Sequence, residues 1–186
     1  YGKKDIFFTK KNSNVTLNIY NKQFSIKNNN FSDIDIQNLE CAIACCIKLN
    51  IPAKNIFKSI KRIESPPGRS ETIYYKKKLS KIIIDYAHTP DALKNILLSY
   101  TVKNKKPNLV FGCGGNRDKT KRKLMGEIAF TFANNVFITD DNPRNENPKN
   151  IRKEILKYCS KANEIPNRRK AIYEAINDLK KNNILI

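Results

Sequence analysis

What this chain does not contain narrows it first. No apolar run approaches the roughly 20 residues needed to cross a membrane as a helix, and Tyr1-Gly2-Lys3-Lys4 leads into no signal-type apolar region. No membrane partner is expected. The five cysteines (Cys41, Cys45, Cys46, Cys113, Cys159) are an odd number without a C-x-x-C pair, so neither a disulfide framework nor a zinc site is indicated. Cys41 and Cys45 stand four apart in an apolar helical pattern and are expected to pack as small hydrophobes in a reducing cytoplasm. There is no internal repeat and no low-complexity domain. Acidic residues are scarce: 17 Asp and Glu face 36 Lys and Arg, a net charge of +19. That imbalance invites a nucleic-acid partner, because clustered cations gain affinity by releasing phosphate counterions. The lysines, however, are spread over every segment among Asn and Ile, where a dedicated surface would show a basic stripe with interleaved aromatics. No nucleic-acid partner is expected.

What is present suffices for one good-sized domain, or a domain and part of another, in 186 residues. Residues 5–28 alternate as short strands, two of them a hairpin turning at Asn21-Lys22. From Gln37 the pattern turns helical (Leu39, Ala42, Ile43, Cys46, Ile47), and Pro52 opens a second helix with Ile56, Ile60 and Ile63 on one face. Ser65-Pro66-Pro67-Gly68-Arg69 forbids regular structure and reads as a linker. Beyond it strand and helix alternate. Residues 73–75 are weakly strand-like, Lys81-Ile82-Ile83-Ile84-Asp85 reads as a buried central strand, and Thr89-Pro90-Asp91 caps a helix carrying Leu93, Ile96 and Leu97. Asn147-Pro148 starts a helix through Ile151, Ile155 and Leu156. Residues 162–165 form a short strand, residues 172–179 a helix, and Ile184 begins another strand. Repeated βα units predict a mostly parallel, Rossmann-like sheet with helices on both faces. The expected division is residues 1–64 and residues 65–186.

The stretch from Asn108 to Arg144 organises the rest. An apolar run ending at Phe111 breaks at Gly112-Cys113-Gly114-Gly115, passes Asn116-Arg117-Asp118, and enters a helix expected to turn Leu124, Ile128 and Phe132 inward. A second apolar run, residues 136–139, stops at Asp140-Asp141-Asn142-Pro143-Arg144. Two parallel strands would then end in polar loops on one sheet edge, where ligands bind in open α/β sheets. The glycine run is neither the six-residue dinucleotide fingerprint nor a Walker A motif. Arg117 concentrates positive charge at a helix start, where an anion docks, or is a surface arginine. Asp141, Asn142, Pro143 and Arg144 offer an acceptor, an amide and a guanidinium in a rigid turn, a set suited to a zwitterionic amino acid, though a bare β-turn would use the same types. Asp85 and His88, the only histidine, sit where a strand meets a helix, within reach of a ribose or phosphates.

In this order and spacing, Asp85-Tyr86-Ala87-His88-Thr89-Pro90-Asp91-Ala92-Leu93, Gly112-Cys113-Gly114-Gly115-Asn116-Arg117-Asp118-Lys119 and Asp140-Asp141-Asn142-Pro143-Arg144 resemble the Mur ligase family. The resemblance covers essentially the whole chain. It implies that residues 1–64 are the carboxyl part of a central ATP-binding domain, and that residues 65–186 are most of a Rossmann-like domain that delivers an amino acid. The implied reaction joins meso-diaminopimelate to UDP-N-acetylmuramoyl-L-alanyl-D-glutamate through an acyl phosphate, in peptidoglycan precursor synthesis. ATP and Mg2+ are the implied cofactors, with the metal ligands expected upstream and no metal ligand or covalent nucleophile in this chain. Carried over by position, Asn38 lies near the adenine, with Asp35 where the family usually has an asparagine. Arg69, Asp85 and His88 lie around the ATP ribose and phosphates, and Arg117, Asp141, Asn142, Pro143 and Arg144 form the diaminopimelate site. A cytoplasmic monomer is expected, and both ends of the chain read as cut, so that it should not turn over alone. The rival readings are a related ligase taking lysine, a folylpolyglutamate-type synthetase, and a basic nucleotide- or nucleic-acid-binding module without chemistry. Arg144 argues against lysine, which lacks the second carboxylate.

Overall fold

The structure is a computed structural model and describes residues 6–11, 14–19, 22–27, 33–63 and 66–186. Chain contacts divide it into two units, Tyr1–Pro67 and Gly68–Ile186.

In the first unit, β1 (Ile6–Lys11), β2 (Asn14–Ile19) and β3 (Lys22–Lys27) form an antiparallel meander. The residues around the expected turn, at 20 and 21, lie outside those described. Helix α1 (Asp33–Lys48) starts four residues before the Gln37 expected from apolar spacing. Its residues Leu39, Ile43, Cys46 and Ile47 share a stripe that packs with Leu17 and Ile19 of β2 and with Ile56, Phe57 and Ile60 of α2 (Ala53–Ile60). Cys41 and Cys45 are exposed, contrary to their expected packing. At 100° per residue they fall on the side of α1 opposite Ile43, which a spacing of four alone does not reveal. Ile63 is also exposed, because α2 ends at Ile60 and its face ends with it.

The second unit is built on one sheet. Strands β4 (Glu71–Tyr75) and β5 (Ser80–Ile84) pair antiparallel around a short 3-10 turn. All later pairings are parallel: β5 with β9 (Ile184–Leu185), β6 (Leu109–Phe111) with β7 (Val136–Ile138), and β7 with β8 (Asn163–Glu164). Asn108 N donates to Ile184 O at 2.8 Å, Ile186 N to Asn108 O at 2.9 Å and Val110 N to Ile186 O at 2.8 Å, which joins β9 to β6. The strand order is therefore β4-β5-β9-β6-β7-β8. The last strand in the chain lies inside the sheet, and β5 lies second from an edge. That position corrects the expectation of a buried central strand: Ile83 is buried, whereas Lys81 and Ile84 are exposed.

Side chains alternate across a strand, and the two faces receive different helices. Ile83, Leu109, Phe111, Val136 and Ile138 pack with α3 (Pro90–Ser99), α4 (Thr120–Phe132) and α5 (Pro148–Leu156). Their neighbours Ile82, Val110 and Phe137 face the other way, with Leu185, onto α6 (Arg168–Asp178). Helix α3 follows its local signals: Thr89 Oγ1 accepts from Ala92 N, Pro90 is the first residue, and Leu93, Ile96 and Leu97 are buried. Helix α4 does not. It buries Arg122, Met125, Gly126 and Ala129, while Leu124 is 45% exposed and Ile128 and Phe132 are only half-buried. Its inward face is turned about a third of a revolution from the expected one. Close helix approach decides this, since a Cβ on Gly126 would lie 2.8 Å from Ile155 O of α5.

Candidate functional site

Because β5, β6 and β7 run parallel, the loops that follow them leave one edge of the sheet. These loops hold Asp85 and His88, residues 112–119, and residues 139–147. The structure thus gathers Asp85, His88, Arg117, Asp141, Asn142, Pro143 and Arg144 on that edge, with Arg69 beside Asp85. Asn38 belongs to the first unit and is exposed on α1.

The corner after β5 is held by a carboxylate. Asp85 Oδ2 accepts from Ser70 N at 2.8 Å and from Ser70 Oγ at 3.4 Å, and Oδ1 accepts from Ala87 N at 2.8 Å. These bonds hold Ser70 in the left-handed region (φ 49°) and bring Arg69 over the exposed Tyr86 ring, 4.6 Å from its centroid. Arg69 therefore stands at the Asp85 to His88 turn. His88 Nδ1 lies 3.0 Å from Tyr86 O. A carbonyl can only accept, so Nδ1 is the donor in this contact. Lys121 of α4 donates to His88 O at 3.2 Å.

The loops after β6 and β7 interlock backbone to backbone. Gly115 N donates to Asn142 O at 2.9 Å, and a Cβ on Gly115 would sit 1.9 Å from Pro143 O, so only glycine admits the neighbouring loop there. Asn142 N donates to Asp141 Oδ1 at 2.7 Å, Arg144 N to Asn142 Oδ1 at 3.1 Å, and Arg144 Nη1 to Gly115 O at 2.7 Å. Asn116 (φ 49°) and Arg144 (φ 50°) are both left-handed, a conformation that an arginine keeps only when its surroundings over-determine it. One of the five guanidinium protons of Arg144 is used on Gly115 O, which leaves the rest of the fork for an anion.

Two residues that were not singled out in the sequence, Arg122 and Glu146, tie these loops to the core. Arg122, 1% exposed on α4, donates to both oxygens of Glu146 (3.0 and 2.9 Å), to Glu154 Oε2 of α5 (2.9 Å) and to Gly114 O (3.5 Å). Glu146 Oε1 also accepts from Asn116 N at 2.6 Å. The Arg122 hydrogen bonds, and after them the Asn116 amide, hold the Glu146 carboxyl down at about 2. No local signal marks these residues: Arg122 stands in Lys121-Arg122-Lys123 and Glu146 in a polar turn, both hidden by a composition rich in Lys and Asn. At the start of α4, Asp118 accepts from Thr120 Oγ1 and N, which keeps its carboxyl below the usual range. Arg117 stands exposed just before it. Cys113, beside Gly112, is pushed up to about 11 by burial and is no nucleophile. Among the described residues no group of three or more His, Cys, Asp or Glu could hold a metal ion. No described helix is long and apolar enough to cross a membrane.

A mostly parallel sheet, helices on both faces and ligand-competent loops on its carboxyl edge define a Rossmann-like α/β domain. Residues 68–186 match the family described as Mur ligase, glutamate ligase domain, and the chain belongs to the Mur ligase family. Among its relatives, it is 47% identical over 153 residues to the UDP-N-acetylmuramoyl-L-alanyl-D-glutamate--2,6-diaminopimelate ligase of Anaplasma marginale (strain St. Maries), covering 81% of this chain and 31% of that protein. It is 40% identical over 196 residues to the ligase of the same name from Rickettsia felis, covering 100% and 36%. A solved structure of a ligase of that name superposes with a TM-score of 0.59 at 27% identity, covering 100% of this chain and 40% of its own. The chain spans about a third of the length of the curated relatives it matches.

Proposed function

We propose that residues 65–186 deliver the incoming amino acid in an ATP-dependent ligase that adds meso-diaminopimelate to UDP-N-acetylmuramoyl-L-alanyl-D-glutamate, and that residues 1–64 are the carboxyl part of its central ATP-binding domain. The observation that carries this reading is the interlocked pair of loops, which presents Asp141, Asn142 and Arg144 beside Arg117 on one edge of the sheet. A zwitterion with a second carboxylate needs such a set: Asp141 for an ammonium group, Arg144 and Arg117 for carboxylates, and Asn142 for orientation. Asp85, His88 and Arg69 are taken to contact the nucleotide's ribose and phosphates, and Asn38 of the first unit its adenine. The names of the relatives support the same substrate.

In this reading the glutamyl carboxylate attacks the γ-phosphorus of ATP, releasing ADP and forming an acyl phosphate. The amine of diaminopimelate then attacks the acyl carbon. Its ammonium sheds one proton before attack and a second as the tetrahedral adduct collapses to amide and phosphate. The residues of this chain contribute positioning and charge stabilisation and no covalent nucleophile. Mg2+ accompanies ATP, and the ligase works as a cytoplasmic monomer. The test is phosphate release by the longer ligase containing this segment, with ATP, Mg2+ and the UDP-dipeptide, on adding meso-diaminopimelate or lysine. Release that depends on diaminopimelate and is weak with lysine is expected; equal release with lysine, or none with either, overturns the proposal.

A further inference from the structure

The residues beneath the amino-acid loops have no part in the contacts proposed above, yet their arrangement is specific. We infer that Glu146 and Arg122 are positioning residues: together they fix where Arg117 and Arg144 stand, and so set the affinity for the amino acid without touching it. This rests on the diaminopimelate reading of the site.

Glu146 follows Arg144 by two residues and reaches across to the other loop, where its Oε1 takes the amide of Asn116 at 2.6 Å. Asn116 is the left-handed residue that sets the exit direction of Arg117. The preceding carbonyl, Gly115 O, holds Arg144 Nη1 at 2.7 Å. One carboxylate thus clamps the peptide from which both arginines take their bearings. Arg122 holds that carboxylate from below through both of its oxygens, in a two-pronged geometry that removes rotational freedom. Lys119 adds a looser contact at 3.6 Å. Burying a guanidinium is poorly repaid in stability, and Arg122 Nε has no partner among the described residues. What the arrangement secures is loop position. Glu154 provides the internal contrast: it pairs with the same Arg122 at 2.9 Å from α5 but, among the described residues, makes no hydrogen bond to either loop.

The test compares Glu146→Ala, Glu146→Gln and Glu154→Gln, first in this chain without ligand and then in the longer ligase. Amide hydrogen exchange of Asn116 reads the clamp independently of any activity. It should rise in Glu146→Ala, rise less in Glu146→Gln, which keeps one oxygen for the amide, and stay near the parent in Glu154→Gln. In the ligase, Glu146→Ala should raise the KM for meso-diaminopimelate about tenfold or more, since small misplacements of binding groups cost up to about 100-fold. The KM for ATP should move less than about twofold, and Glu146→Gln should recover part of the loss. Unchanged Asn116 exchange in Glu146→Ala overturns the inference whatever the substrate. Faster exchange with an unchanged KM for diaminopimelate overturns the link to affinity, and equal effects of the Glu146 and Glu154 variants reduce the network to a stabilising one. A ligase that ignores diaminopimelate altogether refutes the proposed substrate and leaves the exchange result to judge the clamp.

Discussion

The two corners of the sheet's carboxyl edge are built differently. After β5, an exposed turn hangs on one carboxylate: Asp85 gathers Ser70 and Ala87, and Arg69 lies over an exposed Tyr86. After β6 and β7, two loops press backbone against backbone and are bolted to α4 and α5 through a buried arginine. The first corner can yield, because its contacts are few and face solvent. The second is preorganised, which fits the proposed binding of a small zwitterion.

The largest expected effect that would break this contrast is at Arg122. Arg122→Ala opens a cavity under the second corner and leaves Glu146 and Glu154 without their shared cation, so unfolding free energy should fall by about 3–5 kcal/mol in a denaturant titration; a loss below about 1 kcal/mol would place the corner's rigidity elsewhere. Acid probes the same bond. Glu146 is depressed from an ordinary 4.5 to about 2, first by Arg122 and then by the Asn116 amide. A depressed folded-state value means that its stabilisation is full above pH 4.5 and is lost as pH falls towards 2. Glu146→Gln should flatten that part of the stability profile, and an unchanged slope between pH 4.5 and 2 would show that the pairing carries no weight.

Two glycines compare the corners directly. Gly115→Ala drives a methyl group into Pro143 O and should cost about 2–3 kcal/mol as an overpacked contact. Gly68→Ala, beside the Asp85 corner, meets nothing within 4 Å and carries only the left-handed strain of φ 72°, about 1 kcal/mol. Equal losses in thermal melts would erase the distinction. The smallest effect is chemical. Cys113 is buried in the glycine loop with its thiol raised to about 11 by burial, whereas Cys41 and Cys45 are exposed. A thiol reagent at pH 8 should label the α1 cysteines promptly and reach Cys113 only on unfolding. Prompt labelling of Cys113 would mean that the glycine loop opens freely.

Which parts of this arrangement could be read from the sequence follows from how local their causes are. Thr89-Pro90-Asp91 carries its own cap and first turn, so α3 and its buried face were legible. The placing of Asp85, Gly112 and Asp141 on one edge was legible too, because alternating βα units force parallel strands. Helix α4 was not: its inward face is chosen by Gly126 meeting the backbone of α5 and by two carboxylates meeting Arg122, and both causes lie about 30 residues away in the chain. The same holds for β9, a two-residue strand whose place between β5 and β6 depends on hydrogen bonds to Asn108 and Val110. Glu146 and Arg122 escaped notice because a polar turn and a basic triplet are ordinary in so lysine-rich a chain.

In the proposed ligase Arg144 of the preorganised corner reads the far carboxylate of diaminopimelate, and steady-state kinetics of Arg144→Ala and Arg144→Lys in the longer ligase, with meso-diaminopimelate, lysine and ATP varied in turn, test this role. A flexible ammonium cannot reproduce a guanidinium fork anchored on Gly115 O. Both variants should therefore raise the KM for diaminopimelate by about thirtyfold, equivalent to about 2 kcal/mol at the low end for an unpaired charge contact, with the KM for ATP nearly unchanged and the preference over lysine reduced. Parent-like diaminopimelate kinetics and undiminished discrimination against lysine in both variants would contradict the account.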